Sequence, residues 1–67
     1  MTTTTIAIDA SRYADHDDCL SAAADDIAGQ RDLAGWDLSP RWDDEEQRDL
    51  ILLDLPSFAV LATDHIA

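Results

Sequence analysis

The segment Asp15-His16-Asp17-Asp18-Cys19 sets three carboxylates, an imidazole and a thiol in consecutive positions. These are metal-ligand types, but the spacing argues against a site. Adjacent residues of a helix point to different sides, whereas helical ligands converge at i, i+3 or i+4. Asp15 and Cys19 have that spacing, but a pair does not make a closed site. His16 falls nearest the apolar stripe of the helix and reads as a half-buried packing residue, Cys19 as a small buried or half-buried one. The acidic stretch from Asp37 to Asp49 lacks the glycine and the alternating oxygen ligands of a calcium loop. Nucleophilic chemistry has no better support. Cys19 with His16 or His65 is a pairing without a motif, and the chain carries no glycine-rich phosphate loop and no nucleophile elbow. The expectation is a protein without metal, cofactor or catalytic residues.

What remains is charge. The 67 residues carry 15 acidic and 4 basic side chains, a net charge of −11. All four bases are arginine, and glutamate appears only at Glu45 and Glu46. Such a field repels nucleic acids and anionic membranes and attracts basic protein surfaces. A single domain is expected at this length, burying roughly 60% of its unfolded surface. That leaves little room for a buried substrate pocket. Disorder is excluded for most of the chain by its 46% hydrophobic content, which falls in periodic runs with Tyr13, Trp36, Trp42 and Phe58 among them. Cys19 is alone, the N-terminus has no basic leader, and no apolar run approaches ~18 residues. The cytoplasm is the expected compartment, and a monomer the expected state, with a dimer open.

The elements that must position these charges follow from periodicity. Thr2 to Ile8 is β-branched, with Ile6 and Ile8 on one face, and reads as a strand. Asp15 to Gly29 reads as the main helix, with Leu20, Ala23, Ala24 and Ile27 in one stripe and Asp15, Asp18, Asp25 and Asp26 on the other side. Trp36 to Trp42 alternates, with both tryptophans expected in the core. Pro40 places this strand at a sheet edge. Asp43-Asp44-Glu45-Glu46 is a hairpin tip, and Arg48 to Leu55, apolar on both faces, is the central strand. Ser57 caps a short helix carrying Phe58, Leu61 and Ala62, or that stretch extends as a strand. The sum is an α+β domain: a three-stranded, mainly antiparallel sheet in the order 1-3-2 with one long helix on a face. The tail or a second copy is expected to cover the other face.

If the helix runs on, Asp18, Asp25 and Asp32 form one stripe with roughly 10 Å between neighbours. Asp15 and Asp26 flank it, and Asp43, Asp44, Glu45 and Glu46 extend the carboxylate surface. Rows of this kind approximate a DNA backbone, which carries one phosphate per about 1.7 Å of axis. These nine residues are the candidate partner-binding set. In size, charge and α+β pattern, with acids on the Asp15–Asp26 helix and at Asp43–Glu46, the chain resembles the small phage-encoded anti-CRISPR proteins of the DNA-mimic type. That resemblance implies a cytoplasmic inhibitor in an infected bacterium, occupying the DNA-binding face of a CRISPR effector complex. Two other readings stay open: a housekeeping domain of a salt-loving organism, and an antitoxin-like module that neutralises a basic partner. The scarcity of glutamate runs against the first of these.

Overall fold

A computed structural model describes residues 2–67. The first strand, β1 (Thr3–Asp9), is the β-branched N-terminal run. It stops where the Asp9 carboxylate accepts the Ser11 N–H at 2.9 Å and turns the chain into a short 3₁₀ turn over Ala10–Tyr13. The helix α1 (Cys19–Gln30) follows, then β2 (Arg41–Trp42), β3 (Leu50–Pro56), a 3₁₀ turn over Ser57–Ala59, and β4 (His65–Ile66).

The sheet is antiparallel throughout and ordered β2-β3-β1-β4. The expected order of the first three strands holds, with β3 central and the Pro40 strand at an edge. The count does not, because a fourth strand stands at the free side of β1. That strand comes from the tail. Ala59 and Val60 pack against the core, and the end of the tail lies along β1, pairing Ile66 with Ile6 and His65 with Ala7. The helical alternative for Ser57–Ala62 shrinks to the single 3₁₀ turn. Trp36 to Trp42 forms a strand only at its last two residues. Ser39 has φ +50°, a left-handed conformation that breaks a ladder.

Register explains the core. Ile6 faces Leu53 and Ile8 faces Ile51 across the β1–β3 pair, putting these side chains on the face that α1 covers through Ala23 and Ile27. Leu33, Leu38, Leu55 and Tyr13 complete this layer, each almost wholly buried. Leu20, expected in the stripe, is only half-buried. The opposite face is mixed, with Ala7, Leu50 and Leu52 among polar residues. It carries Thr3, Thr5, Arg41 and Asp54, and Asp54 accepts from Thr5 Oγ1 at 2.7 Å and from Arg41 at 3.0 Å. This ties β1, β3 and β2 together on the open side. Both bonds favour the ionised carboxylate, Arg41 more strongly, and hold Asp54 below the ordinary aspartate range.

Candidate protein-binding surface

The helix begins later than its acids suggested. Asp18 is the N-cap, accepting the Ser21 N–H at 3.2 Å. Asp15 and Asp17 therefore stand in the approach to the helix, not in its first turn. At the other end Arg31 caps α1, and Asp32 has φ +57°. The stripe Asp18–Asp25–Asp32 is thus not one helical row. Asp25 alone sits on the outer face of α1, with Asp18 at its cap and Asp32 in the turn beyond. Asp26 is turned to structural work. It accepts the Tyr13 hydroxyl at 2.6 Å and the Gln30 amide at 3.2 Å. The tyrosine bond pulls the Asp26 pKa down, while burial, followed by this carboxylate, pushes Tyr13 up to about 12.

The strand ends collect the remaining acids. β1 and β2 end, and β3 begins, at the same end of the sheet, where α1 also starts. Ala10 N–H donates to the Asp49 carbonyl at 3.0 Å, joining the Ala10–Asp18 connection to the β2–β3 loop. A groove between these segments is lined by Ala14 and Cys19 on one side and Trp42, Arg48 and Asp49 on the other. The loop is self-satisfied. Asp44 Oδ1 accepts the Glu46 and Gln47 N–H groups, and Arg48, at φ +54°, donates its amide to the Asp44 carbonyl and its Nε to the Glu45 carbonyl. Asp43, Glu45, Glu46 and Asp49 are left projecting. Asp15 and Asp17 join them from the adjacent segment.

Two of the four arginines, Arg12 and Arg48, lie at this end and offset only part of its charge. Arg31 forms a two-point ion pair with Asp64 at 2.8 and 2.9 Å and also donates to the Ala59 carbonyl. Arg41 is held by Asp54. The Arg48 guanidinium lies 5.8 Å from the Trp42 ring centre and that of Arg12 lies 5.9 Å from Tyr13. Among the described residues, Asp15, Asp17, Asp25, Asp32, Asp43, Glu45, Glu46 and Asp49 have no side-chain hydrogen bond or ion pair, and all are exposed. Asp17 and Asp49 fall outside the set expected from sequence; their signal was only charge beside an element boundary.

His16 is exposed, its ring 6.2 Å from that of Tyr13, so the half-buried expectation fails for it. Cys19 is half-buried and packs against the core. No three His, Cys, Asp or Glu side chains among the described residues gather as metal ligands do. No described helix is long and apolar enough to cross a membrane. The core expectation for the tryptophans splits. Trp42 packs half-buried against the core, whereas Trp36 is 44% exposed and meets Phe58 edge-on at 6.1 Å. Comparison with family models, curated proteins and solved structures gave no match to this chain.

Proposed function

We propose that this chain is a non-catalytic inhibitor that docks its carboxylate-rich end onto the basic nucleic-acid-binding surface of another protein and excludes the nucleic acid. One observation carries the reading. Among the described residues the projecting carboxylates gathered at the helix start and the β2–β3 loop have no ion-pair partner, and they outnumber Arg12 and Arg48, the two arginines at this end. The molecule is only 21 × 19 Å in cross-section. Charges at this end therefore lie within one or two Debye lengths of each other at 0.1 M salt, about 10 Å each, and present one joint field. Salt adaptation of a housekeeping domain calls for acids spread over the whole surface, which fits this concentration less well. The resemblance to acidic anti-CRISPR proteins makes a CRISPR effector complex the target of choice, in the cytoplasm of an infected cell.

The test is competition. A CRISPR effector complex holding labelled duplex DNA is titrated with the native chain and with two variants. In one, Asp15, Asp17, Asp43, Glu45 and Glu46 become lysine; in the other, Asp25 and Asp32 do. The native chain should displace DNA, the five-residue variant should not, and the two-residue variant should be impaired less. Rim charges act mainly on association, so the native on-rate should fall steeply with added salt. No displacement by the native chain, or equal displacement by the five-residue variant, overturns the proposal.

A further inference from the structure

The end of the molecule opposite the carboxylates carries a different surface. Leu33 is buried, and its carbonyl accepts the Trp36 N–H at 2.9 Å. Gly35, at φ +86°, supplies the left-handed step of this turn. Two residues on, Leu38 returns to the core and its carbonyl accepts the Asp54 N–H at 2.8 Å. Trp36 is therefore held out between two anchored leucines; it is not a frayed side chain. Phe58, 71% exposed, stands against its ring. Beside the indole runs an open groove of about 510 Å³, floored by Ala24 and Ala28 and walled by Asp25 and Asp37. Asp25 has no hydrogen-bond partner among the described residues, and Asp37 uses only Oδ1, on the Ser39 N–H at 3.0 Å.

We propose that this groove seats an arginine side chain from an extended basic segment of a partner protein, the guanidinium stacked on Trp36 and paired with Asp25 or Asp37. An indole face is the strongest of the aromatic cation acceptors, and a guanidinium is the cation that both stacks on a ring and forks onto a carboxylate. Charge selects the occupant. A second copy of the chain has no lysine, holds two of its four arginines in ion pairs, and brings a further −11 of charge. Nucleic acid is repelled by the same carboxylates. The inference needs only a cationic peptide, so it stands apart from the competition reading.

Backbone amide NMR with an acetylated Gly-Arg-Gly-Arg-Gly peptide, beside its citrulline twin, tests it. The arginine peptide should shift the amides of Ala24, Ala28, Gly35 and Trp36, and the citrulline peptide should not. Trp36→Ala should remove those shifts, and Asp25→Asn with Asp37→Asn should weaken binding at least tenfold, while amide dispersion elsewhere shows that both variants fold. Lysine at Asp15, Asp17, Asp43, Glu45 and Glu46 should abolish DNA competition yet leave the groove shifts in place, which separates the two proposals. Shifts confined to residues 10–18 and 43–49, equal binding by Trp36→Ala, or groove shifts that grow with the concentration of the protein alone would each overturn the assignment.

Discussion

Two regions of this domain handle aspartate in opposite ways. At the acidic end, Asp9, Asp18 and Asp44 accept backbone N–H groups two or three residues ahead and shape the local turns, while their neighbours project into water. Beside β4, Asp64 is drawn in, about one-tenth exposed, and locked by Arg31. A short carboxylate reaches its own backbone where a glutamate side chain overshoots, which gives a structural reason for the excess of aspartate over glutamate. The lesson is that net charge alone misleads. Some acids here build loops, some close the fold, and only the remainder is free to meet a partner.

The largest expected effect tests whether the two ends are one folding unit. Ile27 is 2% exposed between α1 and the sheet. Ile27→Ala should cost about 2–5 kcal/mol. Chemical denaturation followed separately at Trp36 and Trp42, each in a background lacking the other, should show both ends melting together. Separate transitions would break the comparison, since each end would then have its own stability.

Arg31→Ala should cost about 3 kcal/mol, because it leaves the Asp64 carboxylate enclosed without its partner. It should also release the Ala59 carbonyl and loosen β4. The matched change at the acidic end, Arg48→Ala, removes an exposed side chain and should stay within about 0.5 kcal/mol. Arginine 31 holds Asp64 below its ordinary pKa. A carboxylate depressed in the folded state adds stability that is present above its unfolded pKa and is lost as pH falls through the lower folded value. Acid unfolding should therefore begin at higher pH in Arg31→Ala than in the native chain.

Much of this was legible before any coordinates. The Ile6/Ile8 alternation, the Ala23–Ile27 stripe and the two-sided apolarity of Leu50–Leu55 each specify one element and one partner, so β1, α1 and the central β3 follow. The misses share a cause: a local hydrogen bond overrode periodicity. Asp18 caps the helix and so excludes Asp15 from it. Arg31, turned to Asp64, ends α1 before Asp32 joins the row. Trp36 has the right parity for burial, but the Gly35 turn lifts it out. The short β4 depends on the antiparallel edge of β1 being free, which two residues of sequence do not reveal. Of the candidate carboxylates, Asp15, Asp25, Asp32, Asp43, Glu45 and Glu46 are unpaired among the described residues, whereas Asp26, Asp18 and Asp44 hold structure.

Tyr13→Phe addresses the seam between the ends. The hydroxyl donates to the Asp26 carboxylate from a nearly buried ring, and its loss should cost about 1.5 kcal/mol. The pH profile identifies the cause. Tyr13 is raised from 10.0 to about 12, so the folded state keeps the proton that the unfolded chain releases. The stabilisation is complete below pH 10 and is lost as pH rises from about 10 through 12. The native chain should lose its advantage over Tyr13→Phe across that window. A constant difference would mean that the hydroxyl's hydrogen bond to Asp26 does not carry the effect.

The smallest effect sharpens the contrast most. Changing Asp43, Glu45 and Glu46 to Asn, Gln and Gln removes repulsion where carboxylates crowd around a single arginine, Arg48. Each exposed charge is individually worth about 0–1 kcal/mol, so the triple change should raise stability by only several tenths in low salt. Asp32→Asn at the other end stands beyond α1 and away from that cluster, and should change less. Salt separates electrostatics from loop propensity. At 1 M the Debye length is about 3 Å, shorter than the spacing of most of these groups, so the gain of the triple variant should vanish there. Melting temperatures of the three proteins across salt measure this directly. A gain that persists at 1 M would locate the effect in the turn itself, around the Asp44 hydrogen bonds. An equal gain for Asp32→Asn at low salt would mean the field is uniform over the molecule, and the acidic end would lose its claim to be a distinct surface.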